Sequence, residues 1–267
     1  MRDRGYFPAG QSVLRSVHEE RIVGVLYGQR ALLLQAMHPV AFDGLIGETK
    51  GLDAPFRRLV RTAKVMEKIY FGTKADADRV TGAVGRMHAR VPAATQQEHL
   101  LWILACLADS ALAIHNRFVG RLAYRDREAF WADYLVLGDL FGVDRGVAPE
   151  TYDGFRAYMR ERLASDEMHV TDRAREIATT VAFELPVPAH RRAVLAVLNH
   201  AIAGTLPPRA RREYRLPWGR VDEARLAAFT AAVRAGAVVL PRALWTGSSA
   251  RDYDVVARGE ARRLAAA

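Results

Sequence analysis

The sequence lacks several features that are typical of particular protein classes. Each absence excludes a type of bond, cofactor attachment or targeting signal. Its 267 residues include one cysteine, Cys106, so an internal disulfide cannot form, and a reducing compartment is weakly indicated. There is no CxxCH motif, which excludes a covalently attached c-type haem. The first residues, MRDRGYFPAG, lack an apolar stretch as long as that of a secretory signal. We therefore expect a cytoplasmic protein.

Signatures of several enzyme classes are also missing. The sequence contains no GxSxG, GK[ST], HExxH or EF-hand motif, and no GxGxxG after a strand. Glutamate and histidine do not recur at the Glu-x-x-His spacing of ferritin-like di-iron sites. The eight histidines are dispersed, so a non-haem metal cluster is not expected.

Long uniform apolar runs are lacking, and so are β-branched runs. The segment 17–37 is apolar nearly all round, but Arg21, Gln29, Arg30 and Gln35 interrupt it, which favours a buried helix over a membrane span. Half of all residues are apolar, and alanine, leucine and arginine dominate. The composition predicts an all-α fold, a single multi-helix domain over residues 1–267 with its core at about 17–240. The polar residues after about 247 are expected to form a mobile tail.

The formal net charge is +9, which by itself would suggest a nucleic acid or an anionic membrane as partner. The basic residues, however, are scattered among acidic ones rather than gathered into a stripe. We therefore expect no nucleic-acid partner, and the oligomeric state is left open.

Residues 53–91 form the stretch that is most informative about function. Asp53 suits a helix N-cap, Pro55 suits the first turn, and Gly72 suits the end of the helix. A second helix follows, ended by Pro92, and the short join at residues 72–74 predicts an antiparallel hairpin. Arg58 and His88 each lie fifteen residues from Thr73, so they should meet at similar depth.

The second helix places His88 on an apolar face with Val80, Val84, Met87 and Val91. A buried neutral imidazole facing guanidinium groups is costly unless an anion or a metal cofactor is bound there. Haem matches this pattern, because it takes one axial histidine for iron and cationic donors for its propionates. The alternative is a core histidine that is hydrogen-bonded within the protein and binds nothing.

The ordered segments HPVAFDGL, RLVRT, MHARV, LLWIL and LPPRARREY resemble the catalytic domain of latex clearing proteins (rubber oxygenases) and MpaB-type oxygenases. The resemblance extends from about Gly24 to Trp218. It implies an all-α fold with a globin-like helical core that holds non-covalent haem b. It also implies dioxygen and a small lipophilic substrate as partners, with oxidative cleavage of a carbon–carbon double bond in isoprenoid chains.

The resemblance assigns roles to four residues. His88 would be the axial iron ligand, and Arg58 and Thr62 would hold a propionate or the haem edge. Arg61 would be the catalytic residue that stabilises negative charge on bound dioxygen. In latex clearing proteins the position of Arg61 is a lysine that can approach iron, whereas arginine stays protonated and cannot bind a metal. The expected glycine after MHARV is replaced by Pro92-Ala93-Ala94.

Other residues are weaker candidates. Asp43 or Glu48, in an expected loop, would serve as a catalytic base, or would simply solubilise the loop and cap a helix. His38 precedes Pro39 and would either cap the preceding helix or lie near the cofactor. His115 is a second imidazole that would face a cofactor or pair with a core carbonyl. An arginine of LPPRARREY would bind a propionate or carry surface charge.

Two other functions are consistent with the sequence. One is a non-catalytic helical protein that binds an apolar ligand or a nucleic acid and uses His88 only for packing. The other is a haem protein with peroxidase-type activity.

Overall fold

Helices form where the sequence has apolar residues at three- and four-residue spacing, as the composition predicts. The computed structural model describes residues 5–47, 55–89, 95–247 and 250–265. Helices make up 76% of it, and in these described ranges there are thirteen α-helices and no strand. The all-α fold is therefore confirmed, while the globin-like arrangement of the core stays a prediction.

The helices follow one another with short connections. Their bounds are α1 Val13–Glu19, α2 Arg21–Gln35, α3 Pro39–Gly47, α4 Pro55–Phe71, α5 Lys74–His88, α6 Gln97–Phe118, α7 Tyr124–Leu140, α8 Tyr152–Ala164, α9 Asp172–Phe183, α10 Arg192–Thr205, α11 Pro208–Glu213, α12 Arg220–Val239 and α13 Ala250–Ala265.

The core is built on α6, which α2 packs along, while α7, α8, α10 and α12 also contact α6. The helix buries Trp102 and Cys106 completely. It is long and apolar enough to cross a membrane, but 78% of its most apolar window is buried inside the protein, as in the core helix of a globular protein. The length and hydropathy of α6 are therefore explained by its position in the core.

The predicted helix over residues 17–37 is divided into α1 and α2. Glu20, between them, has an extended backbone with φ −69° and ψ 111° and forms an isolated antiparallel bridge with Thr246. The Arg21 N–H donates a hydrogen bond of 2.7 Å to the carbonyl oxygen of Trp245. Because these bonds join segments far apart in sequence, local helical periodicity does not predict the break.

The C-terminal region also differs from expectation. In place of a mobile tail after residue 247, the structure has α13, which packs against α4. Tyr253, Val256 and Glu260 are buried on one face of α13, at three- and four-residue spacing. Val256 packs with Phe56 and Val60 of α4. Of Tyr253, Val256 and Glu260, only two are apolar, and charged residues surround them in the sequence, so the sequence gives little indication of this buried face.

Candidate functional site

The α4–α5 hairpin brings together the residues singled out by the sequence. Helix α4 ends at Phe71 and α5 begins at Lys74, as predicted from Gly72. Thr73 caps α5 by accepting a hydrogen bond from the Asp76 N–H at 3.1 Å, and the Asp76 side chain completes the capping box. The predicted cap Asp53 lies outside the described residues. The tight turn places the first turns of α4 alongside the last turns of α5.

His88 lies in the last turn of α5 and is half-buried. Its pKa is lowered from the ordinary histidine value, first by desolvation and second by the positive charge of Arg58. The imidazole is therefore neutral at pH 7, with a nitrogen lone pair that can bind a metal. Helices α4 and α5, which carry Arg58 and His88, pack against each other.

Arg58, Arg61 and Thr62 all retain solvent exposure on the outer side of α4. Even so, desolvation by the surrounding protein lowers the pKa of Arg58, and the charge of Arg61 lowers it further. Two guanidinium groups and a neutral imidazole therefore lie near one another. Such a concentration of positive charge favours an anionic group.

The apolar face of α5 differs from the one predicted. Ala77 and Thr81 are buried, Val84 and His88 are partly exposed, and Met87 is 49% exposed. Val91, which was expected on the same face, lies outside the described residues. Burial therefore decreases along α5 toward its C-terminus, so that His88 lies at the edge of the core and not inside it.

The other residues that the sequence suggested for a functional site are not on the α4–α5 hairpin. Asp43 lies exposed on α3, where a loop was expected, and Glu48 is outside the described residues. His38 does not cap the preceding helix. Its Nδ1 instead accepts a 3.2 Å hydrogen bond from the Ala41 N–H at the start of α3, and its ring contacts that of His99. The geometry gives His38 a structural role in starting α3.

The remaining candidates are His115 and the arginines of α11, which differ in their hydrogen bonding. His115 is buried, and its Nδ1 has no hydrogen-bond partner among the described residues. Burial lowers the His115 pKa, and an interaction with the Gly120 backbone partly opposes that shift. Arg209 donates to the carbonyl oxygens of Leu163 and Met168 at 2.8 Å, so it joins backbone segments. Arg211 likewise donates to backbone carbonyl oxygens.

No group of three or more histidine, cysteine, aspartate or glutamate side chains that could bind a metal ion occurs within residues 5–47, 55–89, 95–247 and 250–265. Haem does not require such a group, because the porphyrin itself supplies four nitrogen ligands and the protein adds an axial one. The donor set at the hairpin, one neutral imidazole with adjacent guanidinium groups, fits iron and the carboxylates of haem b.

The core also contains a buried network of charged residues that was not expected from the sequence. Arg30 of α2 donates to Asp109 of α6 at 2.9 Å and to the Ser110 hydroxyl at 2.8 Å. Arg156 of α8 pairs with the other carboxylate oxygen of Asp109. The available signal was a charged residue within the apolar part of each of two helices, Arg30 in α2 and Asp109 in α6. Such isolated opposite charges are expected to pair when both helices are buried.

Comparisons with known proteins identify the chain's relatives. Residues 15–235 match the family described as ER-bound oxygenase mpaB/B'/Rubber oxygenase, catalytic domain. Two uncharacterized proteins, one from Mycobacterium bovis and one from Mycobacterium tuberculosis, are each 26% identical over 201 residues, covering 72% of this chain and 78% of the relative. No solved structure matches significantly. Because the family model covers more than half of the chain, this protein belongs to the mpaB and rubber oxygenase catalytic-domain family.

Proposed function

We propose that this protein is a haem b-dependent oxygenase that uses dioxygen to oxidise or cleave a double bond in a small, lipophilic, isoprenoid-type substrate. Membership in the oxygenase family supports the class of reaction. The single observation that supports the haem assignment is the position of His88, half-buried in the last turn of α5, on a helix that packs against α4, which carries Arg58.

The chain's own residues have distinct tasks in this proposal. His88 would hold the haem iron through an imidazole nitrogen, which its lowered pKa keeps unprotonated at neutral pH. Arg58 and the Thr62 hydroxyl would donate hydrogen bonds to a propionate, a carboxylate that suits a guanidinium group. Arg61 would donate a hydrogen bond toward dioxygen and favour negative charge there. Bound haem supplies the redox chemistry that activates dioxygen.

Absorption spectroscopy of the haem-supplied protein tests the assignment of His88. We expect a Soret band in the wild-type protein and its loss, or a large shift, in His88→Ala, because the axial ligand is removed. His169→Ala is a matched control, because His169 is exposed and its ring bonds only to the nearby carbonyl oxygen of Glu167. The control should retain the wild-type spectrum. A colourless wild-type protein with unchanged circular dichroism would eliminate the haem assignment.

Oxygen consumption separates oxygenase from peroxidase activity. With isoprenoid alkenes as substrates, the haem-loaded protein should consume dioxygen without added peroxide, and Arg61→Leu should lower the turnover about 10²-fold, as for loss of one charge-stabilising donor. Arg145→Leu is the control, since Arg145 is exposed and pairs with Asp139 away from the hairpin. Turnover that requires peroxide and no dioxygen would instead support a peroxidase.

A further inference from the structure

An apolar cavity lies between α2, α10, α13 and the segment that ends at residue 247. Its volume is about 350 Å³, within the range of small-molecule sites. Apart from Arg21, Gln29 and Arg191, the described side chains of its wall are aliphatic or aromatic, among them Leu198 and Trp245. None of the residues assigned to the proposed haem site lines this cavity, so it is a separate site.

A second cavity, of about 290 Å³, adjoins the apolar one and has a basic wall. Three residues line both cavities, among them Arg191 and Val255. His190, Arg258 and Arg262 line only the second one, which is called the basic cavity below. The described walls of the two cavities together contain four arginines and no aspartate or glutamate. An apolar space therefore lies next to a space that only cationic side chains and no acidic ones surround.

The acidic residues described on α13 do not neutralise the arginines of the basic cavity. Asp254 Oδ1 lies 3.0 Å from Lys64 Nζ, and Glu260 Oε2 lies 2.8 Å from Arg263 Nε, so each carboxylate already has a cation of its own. The three arginines of the basic cavity are exposed, and none forms an ion pair with any residue that the structure describes. Their positive charge therefore favours an anion at this place.

The two sides of the basic cavity are held together by backbone packing. Arg258 and Arg262 are one turn apart on α13, so they share a face of that helix. Between them in the sequence, Gly259 lies so close to Pro186 that an added Cβ would overlap the Pro186 carbonyl oxygen. This contact places the arginines of α13 beside the segment that carries Arg191, as expected of a preformed site.

From these observations we infer that the two cavities together bind a single-chain amphiphile with a phosphate monoester head. Its alkyl chain lies in the apolar cavity, where each methylene group removed from water adds to the affinity. Its phosphate lies in the basic cavity, where guanidinium groups donate paired N–H groups to the phosphate oxygens. A phosphate monoester carries nearly two negative charges at pH 7, so it suits three arginines better than a carboxylate does. The inference does not depend on haem or on oxygenase activity.

The test is a calorimetric titration of the full-length protein with decyl phosphate, below the concentration at which it forms micelles. We expect saturable binding that weakens as salt is added, because salt screens the attraction between exposed charges. Decanol, which has no charge, and inorganic phosphate, which has no chain, should each bind at least about tenfold more weakly. Decanoate, with a single negative charge, should bind more weakly than decyl phosphate and more tightly than decanol.

Paired variants separate the two parts of the site. Arg191→Gln should weaken decyl phosphate binding about tenfold, the loss of one charge-assisted hydrogen bond. Arg192→Gln removes the same charge from the next residue, which is exposed and lines neither cavity, and should keep the wild-type affinity. Leu198→Phe should weaken binding by filling the apolar cavity. Val197→Phe, at a 45% exposed position outside that wall, should leave binding unchanged.

The inference is overturned if decyl phosphate gives no saturable heat, or if decanol, decanoate or inorganic phosphate binds as tightly. Equal losses of affinity in Arg191→Gln and Arg192→Gln would also overturn it, because they would show attraction to the general positive charge of the protein. Binding to vesicles of anionic phospholipid without binding to monomeric decyl phosphate would point to a membrane surface instead, and would overturn it as well.

Discussion

At the scale of single residues, the pKa of His88 is a property that can be measured without any cofactor. Desolvation and the positive charge of Arg58 both depress it. The folded-state value therefore lies below the unfolded one, so the neutral ring favours folding above the unfolded pKa. That contribution is lost as the pH falls toward the folded pKa.

Removing the charge of Arg58 should raise the pKa of His88. In Arg58→Gln the desolvation of the imidazole persists but the repulsion disappears, so the pKa should move part of the way back toward the ordinary value. A proton NMR titration of the His88 ring signal in haem-free protein measures this change. Arg125→Gln, at a 93% exposed side chain on α7, is the control and should leave His88 unaffected. An unchanged His88 pKa in Arg58→Gln would contradict the proximity of the two residues.

At the scale of elements, α13 depends on a close approach to the connection between α9 and α10. A Cβ added to Gly259 would overlap the carbonyl oxygen of Pro186. Glycine is ordinarily a poor choice inside a helix, where alanine is about 1 kcal/mol more favourable. Its presence in the middle of α13 is therefore explained by packing against Pro186.

Two glycine substitutions should have opposite effects on stability. Gly259→Ala should destabilise the protein by about 1–3 kcal/mol, because the backbone of α13 must move away from Pro186. Gly85→Ala in α5 should stabilise it by up to about 1 kcal/mol, because a Cβ there meets no atom within 4 Å. Urea denaturation followed by circular dichroism measures both changes. If Gly259→Ala were stabilising, α13 would not be docked as described.

At the scale of the whole molecule, the buried charges link helices that are distant in sequence. Asp109 of α6 joins Arg30 of α2 and Arg156 of α8, and Arg30 also donates to the Thr205 carbonyl oxygen at the end of α10. Burial by itself raises the pKa of Asp109, but the two arginines outweigh it and the net pKa is lowered. The stability contributed by this ionised carboxylate is present above its unfolded pKa and is lost as pH falls through the folded value.

Neutralising Asp109 should strongly reduce the stability of the folded protein. Asp109→Asn leaves the guanidinium group of Arg30 buried without its counter-charge, which should cost about 3–5 kcal/mol in the free energy of unfolding. Asp139→Asn breaks an exposed pair with Arg145, with side chains 45% and 49% exposed, and should cost at most about 1 kcal/mol. Denaturant unfolding at pH 7 compares the two variants. Similar costs would show that the buried network contributes little.

The sequence alone determined the helical class and the α4–α5 hairpin. These features depend on local signals: the periodicity of apolar residues, the Thr73 cap, and Gly72 at the turn. The segments that resemble rubber oxygenases and MpaB-type oxygenases also identified the family, because ordered motifs are a property of the chain itself. The roles of His88, Arg58, Arg61 and Thr62 stay predictions.

Only the tertiary structure decided the break at Glu20, the docking of α13, the pairing of Arg30 with Asp109, and the pocket beside Gln29 and Trp245. Each depends on contacts between residues far apart in the chain. Periodicity and capping describe only a few neighbouring residues, so they cannot specify which distant helix a given face will meet. The burial of a charge or an amide, and hence the partner it requires, is settled by that packing.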